Sequence, residues 1–115
     1  MTVRELVRFY QMEIQRTNDL QADRAAELLM QLTALLGNIA DEIRAADSEY
    51  AVTLLHLLDT EKKANRARIR AEISPEYLRK QQARDTKELV TELARSLKYF
   101  LRAKQEEYRM AGNQQ

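Results

Sequence analysis

The chain has 115 residues, 32% of them charged, with a net charge of +1, two glycines, one proline and neither cysteine nor tryptophan. That length suits one domain, and the predominance of Ala, Leu, Glu, Gln, Arg and Lys predicts an all-α fold with little or no sheet. Without cysteine, disulfides, thiolate catalysis, Cys-bearing zinc sites and iron–sulfur clusters are excluded. Apolar runs as short as LLM, ALL and YFL predict no membrane span and a cytoplasmic protein.

Thr2 followed by Glu5 has the spacing of a capping box, and Val3, Leu6, Val7, Tyr10 and Ile14 recur at helical intervals. The first helix is expected over 2–16. Asn18 or Asp19 is placed to cap a second helix over 19–72, whose seam runs in heptads through Leu29, Leu32, Leu36, Ile39, Ile43, Ala46, Tyr50, Thr53, Leu57, Thr60, Ala64, Ala67 and Ala71. Gly37-Asn38 is what a helix C-terminus uses, yet one internal glycine costs only about 1 kcal/mol, so both a break and a continuous helix fit there.

Pro75 disfavours helix at Ile73 and Ser74 but suits the first turn of a helix capped by Ser74. A third helix is therefore expected over 75–110, carried by Tyr77, Leu78, Leu89, Val90, Leu93, Leu97, Phe100, Leu101 and Tyr108. Segments 38–72 and 75–110 then form the matched arms of a long antiparallel hairpin, each about 50 Å long. In that register Tyr50 faces Lys98, and Leu57 faces Val90 or Thr91. The arm from Leu28 to Leu58 carries adjacent apolar pairs such as Leu54/Leu55 and Leu57/Leu58, a wider face than a two-helix seam uses. The N-terminal helix covers part of it, and a second copy completes a bundle, so a homodimer is expected.

Charge is segregated along the chain. Residues 1–61 hold five Lys or Arg against eleven Asp or Glu, a balance of −6, whereas residues 62–84 hold eight against two, a balance of +6. Near the turn the seam shrinks to Ala64, Ala67, Ala71 and Ala83, so the basic segment reads as the thin tip of the hairpin. Arg68 with Glu72 and Glu76 with Lys80 are i,i+4 pairs, each worth about 0.2 to 0.5 kcal/mol. Two such pairs do not absorb eight cations. The tip reads in three ways: as a solvated face, as a dock for the acidic part of another subunit or a protein partner, or as a DNA or RNA site built from Lys62, Lys63, Arg66, Arg68, Arg70, Arg79, Lys80 and Arg84. Asn65, Gln81 and Gln82 lie among the cations as further hydrogen-bonding groups, and Tyr77 is a candidate for stacking on a base.

Enzyme chemistry finds no constellation. His56 is the one histidine, with Thr53 three residues before it, so the Glu-x-x-His pairs of a di-metal bundle are missing. Asp41, Glu42, Asp47 and Glu49 have no histidine near in sequence, and hydrated surface carboxylates account for them. Gly37 and Gly112 cannot make a phosphate loop, and Ser48, Ser74 and Ser96 have no recognisable base. The reading is a protein without catalytic residues, metal or cofactor.

The stretch YAVTLLHLLDTEKKANRARIRAEISPEYLRKQQARDTKELVTELARSLKYFLRAKQEEY resembles small helical proteins of phages and prophages encoded near replication and recombination genes. The shared features, over residues 28–110, are a Leu- and Tyr-bearing helix, a Lys- and Ala-rich tip, and a second helix with spaced Leu and a late Glu, here Glu106 or Glu107. The resemblance implies an accessory protein that handles DNA or binds a replication or host protein, and it brings no catalytic residues. A more distant similarity to small secreted hairpins with a Trp-x-Gly turn lacks that turn: there is no Trp, and Gly37 follows Leu36.

Overall fold

A computed structural model describes residues 1–113. Among them the regular elements are four helices: α1 (Val3–Arg16), α2 (Ala22–Thr60), α3 (Ala64–Glu72) and α4 (Pro75–Asn113). The all-α expectation holds. No described helix is long and apolar enough to cross a membrane.

Local chemistry sets most of the ends. The Thr2 hydroxyl accepts from the Glu5 amide at 3.1 Å, capping α1 as its spacing predicts. Helix α2 begins at Ala22, past Asn18 and Asp19, with the Ala25 amide donating to the Gln21 carbonyl. It then runs unbroken through Gly37, whose φ is not positive. Of the two readings of Gly37, the continuous helix is the one adopted. At the other end the Ser74 hydroxyl accepts from the Tyr77 amide at 3.2 Å and donates to the Ala71 carbonyl at 2.6 Å, so one side chain closes α3 and opens α4.

The expected second helix over 19–72 is corrected at 61–63, where α2 stops and α3 starts as a separate helix. No Gly or Pro marks this break. The Thr60 hydroxyl turns back to the carbonyls of His56 and Leu57, and Asp59 and Glu61 set negative charge at a helix C-terminus, where the macrodipole disfavours it. Lys63 then takes an extended conformation, φ −120° and ψ 129°.

The chain gathers into two compact units, one comprising Met1–Gly37 with α4 from Glu88 onward, the other Asn38–Lys87. The first holds α1, the start of α2 and the later part of α4. Its buried side chains are Val7, Ala25, Leu28, Leu32, Val90, Leu93, Ala94 and Leu97. Arg24 on α2 grips Glu13 on α1 with two bonds, Nε to Oε2 and Nη2 to Oε1, each 2.6 Å, and reaches Glu27 at 2.9 Å. That fork ties the short α1 to its neighbour and holds the Glu13 carboxyl below the usual range, chiefly through the hydrogen bonds.

The second unit holds the later part of α2, all of α3 and the start of α4. Its buried residues are Ile39, Ala46, Ala67, Ala71, Ala83 and Thr86, the last with its hydroxyl donating to the Gln82 carbonyl at 2.8 Å. Here α2 and α4 run antiparallel, joined by Arg84 to Asp47 at 3.0 Å and Arg79 to Glu49 at 3.6 Å. Tyr50 meets Tyr77, ring centroids 5.4 Å apart, with Lys80 lying 4.4 Å over the Tyr50 ring. The predicted register, with Tyr50 facing Lys98, is therefore corrected by about five helical turns. The cause is the second reversal: with α3 folded off as its own helix, α4 starts alongside the last third of α2, and the 62–72 segment is no longer part of the arm. Val52, Leu55 and Leu58 remain exposed on α2, so the wide apolar face expected there is uncovered over this stretch.

Candidate nucleic-acid interface

The eight cations of the basic segment have three different environments. Arg70, Arg79 and Arg84 are committed to carboxylates: Arg70 to Glu61, Arg79 to Glu49 and Glu76 at 3.6 Å each, and Arg84 to Asp47. The local pairs expected from sequence, Arg68 with Glu72 and Glu76 with Lys80, do not form; Glu76 takes Arg79 one turn on, Glu49 and Asp47 come from α2, and Glu61 lies just past its end. Such contacts between separate helices are invisible to an i,i+4 search, and they neutralise cations that local pairing leaves free.

Lys80 and Arg68 surround Tyr50. Burial pushes the Tyr50 phenol up, Glu72 and Tyr77 add to the rise, and Arg68 opposes it. Tyr77 itself packs on Tyr50, and its hydroxyl accepts from Gln81 Nε2 at 2.8 Å. Stacking by Tyr77 on a base, one of the sequence expectations, would have to break this pair.

Lys62, Lys63 and Arg66 stand apart. All three are exposed, without a carboxylate within 4 Å among the described residues, and with Thr60 and Glu61 they line a cavity of about 590 Å³ at the α2–α3 break. The one acid in that lining, Glu61, is mostly buried and paired with Arg70, so its charge is already answered. The first-turn amides of α3 are orphan donors by helix geometry, and Lys63 at the N-cap has no side-chain oxygen to accept from them. Three cations at a helix N-terminus oppose the macrodipole, at roughly 0.3 to 1 kcal/mol each. An anion placed there would satisfy the amides, the lysines and the dipole together. A second cavity of about 450 Å³, lined by Ser48, Glu49, Val52, Thr53, Glu76 and Arg79, has two carboxylates for one guanidinium and does not favour a polyanion.

The candidate set thus contracts from eight residues to a corner of three, with Arg68 turned to the other side of α3, towards Tyr50. Sequence reading found the cations but not the corner, because it expected a continuous helix through 61–63. A signal was present in the charge pattern: acids closing one helix and lysines opening the next, both against the dipole. His56 is exposed, and no group of three or more potential metal ligands occurs among the described residues. No protein-family model, curated protein or solved structure matches the chain.

Proposed function

We propose that the chain is a non-enzymatic, phage-type accessory protein of the cytoplasm that binds the phosphate backbone of nucleic acid through the α2–α3 corner. The observation supporting it is the unpaired set Lys62, Lys63 and Arg66 around the open N-terminus of α3, with Glu61 already neutralised by Arg70. Arg70, Arg79, Lys80 and Arg84 hold the unit together and contribute only a general positive field.

Fluorescence anisotropy with labelled DNA and RNA, at about 50 and about 200 mM salt, tests this. Binding is expected with Kd of about 10⁻⁴ to 10⁻⁶ M and a log–log salt slope of about −2 to −3, the value for three neutralised phosphates. The Lys62→Gln/Lys63→Gln/Arg66→Gln variant should fold normally and lose the interaction. No binding at low salt, or equal binding by the variant, sinks the proposal and leaves the corner to a protein partner.

A further inference from the structure

Helix α3 is inside out for its size classes. Its fully buried residues are Ala67 and Ala71, while Ile69 is 63% exposed and Ile73, at its C-cap, 80% exposed. A nine-residue helix that served only to close the unit would place its largest aliphatic side chains inward, where their burial stabilises the fold. Ile69 and Ile73 are four residues apart and so share one face, and Arg66, three residues before Ile69, lies on that face too. The face therefore carries two bulky aliphatic groups joined to one end of the cationic corner, with Glu72 on its edge.

We propose that Ile69 and Ile73 are an apolar wedge that reads unpaired or unstacked bases while Lys62, Lys63 and Arg66 hold the adjoining phosphates. This rests on the nucleic-acid reading above and deepens it by naming the form of nucleic acid. In a matched duplex the isoleucines reach base surface only after a stacked step has been opened, and the free energy of that unstacking offsets what they gain. A single strand, or a duplex opened by mismatches, offers base and sugar surfaces that aliphatic side chains cover, as wedge residues do in proteins that unstack base steps. Isoleucine takes this part because Tyr50 and Tyr77, the aromatic groups of the unit, are engaged with each other.

Three probes decide it: a single-stranded DNA of about 20 nucleotides, its matched duplex, and the duplex with a central run of mismatches. The natural protein should bind the single strand and the mismatched duplex about fivefold or more tighter than the matched duplex. Ile69→Ser/Ile73→Ser should fold normally, since both side chains are exposed, keep its salt-dependent affinity for matched duplex, and lose the preference. Ile69→Leu/Ile73→Leu should restore it. A natural protein without preference, or a serine variant that keeps it, overturns the wedge, assigns the isoleucines to a protein contact, and leaves the corner as a backbone site. Absence of binding to every probe removes the underlying reading along with the wedge.

Discussion

The unit built on α1 encloses Val7, Leu28, Leu32, Val90, Leu93 and Leu97, whereas Asn38–Lys87 encloses Ile39 with four alanines, Ala46, Ala67, Ala71 and Ala83. At about 25 cal/mol per Å² of apolar surface, the first collects most of its stability from area. The second brings backbones close but buries little, and it adds contacts between charges: Arg70 to Glu61, Arg79 to Glu49, Arg84 to Asp47, and Lys80 over Tyr50. The comparison explains why a basic segment exists at all in a nearly neutral chain. Part of its charge is taken up in ion pairs within the unit, while Lys62, Lys63 and Arg66 have none among the described residues.

The largest effects should come from interchanging the two modes of packing. Leu32→Ala, at a fully buried position of the first unit, should cost about 2 to 5 kcal/mol. Ala67→Leu, at a fully buried position of the second, should cost about 1 to 3 kcal/mol by overpacking. Urea unfolding followed by helical circular dichroism measures both. If Ala67→Leu instead stabilised the protein, the alanine-lined contacts would be loose, and the division between the units would not hold.

How much of this was legible in the sequence divides along the same line. In the leucine-cored unit the apolar period carries the information: Thr2 capped α1, Val7 was buried, and Leu32, Val90, Leu93 and Leu97 fell in the core as their spacing implied. Ser74-Pro75 placed the start of α4 for an equally local reason. In the alanine-cored unit the period is weak, since alanine suits either face of a helix. Thr60, Ala64, Ala67 and Ala71 continued the heptad count straight across a break it could not detect. From that one error followed the wrong register for Tyr50 and the overcounted set of free cations. The charge partners of Arg79 and Arg84, thirty and thirty-seven residues away in sequence, needed the fold to be seen.

A smaller effect separates the ion pairs of the two units. Glu13 receives two bonds from one guanidinium, while Arg79 reaches its carboxylates only at 3.6 Å. Glu13→Gln should cost about 1 kcal/mol at pH 7, the upper end for an exposed pair because the bidentate geometry is good, and no more because Arg24 is 36% exposed. The folded-state pKa of Glu13 is depressed, so the contribution of the pair is fully present above the unfolded carboxyl value of about 4.3 and lost as pH falls through the lower folded value. The stability difference between natural protein and variant, read from urea midpoints, should therefore shrink below about pH 4. A difference that persisted unchanged in acid would mean that the glutamine disturbs packing and that the charge contributes little.

The smallest effect concerns the junction, because Gly37 is the last residue of one unit and Asn38 the first of the other. Glycine has no conformational task here: its φ is not positive, the helix passes through it, and a Cβ added there meets nothing within 4 Å. Gly37→Ala should then raise stability by about 0.5 to 1 kcal/mol, mainly by narrowing the unfolded ensemble. The size of the gain reports on the helix itself. If α2 is continuous in solution, the full helical advantage of alanine appears as a higher urea midpoint with an unchanged slope. If the helix opens at Gly37-Asn38 and the two units unfold separately, alanine at the junction should sharpen the transition, joining the leucine-cored unit to the alanine-cored one and steepening the slope more than it moves the midpoint.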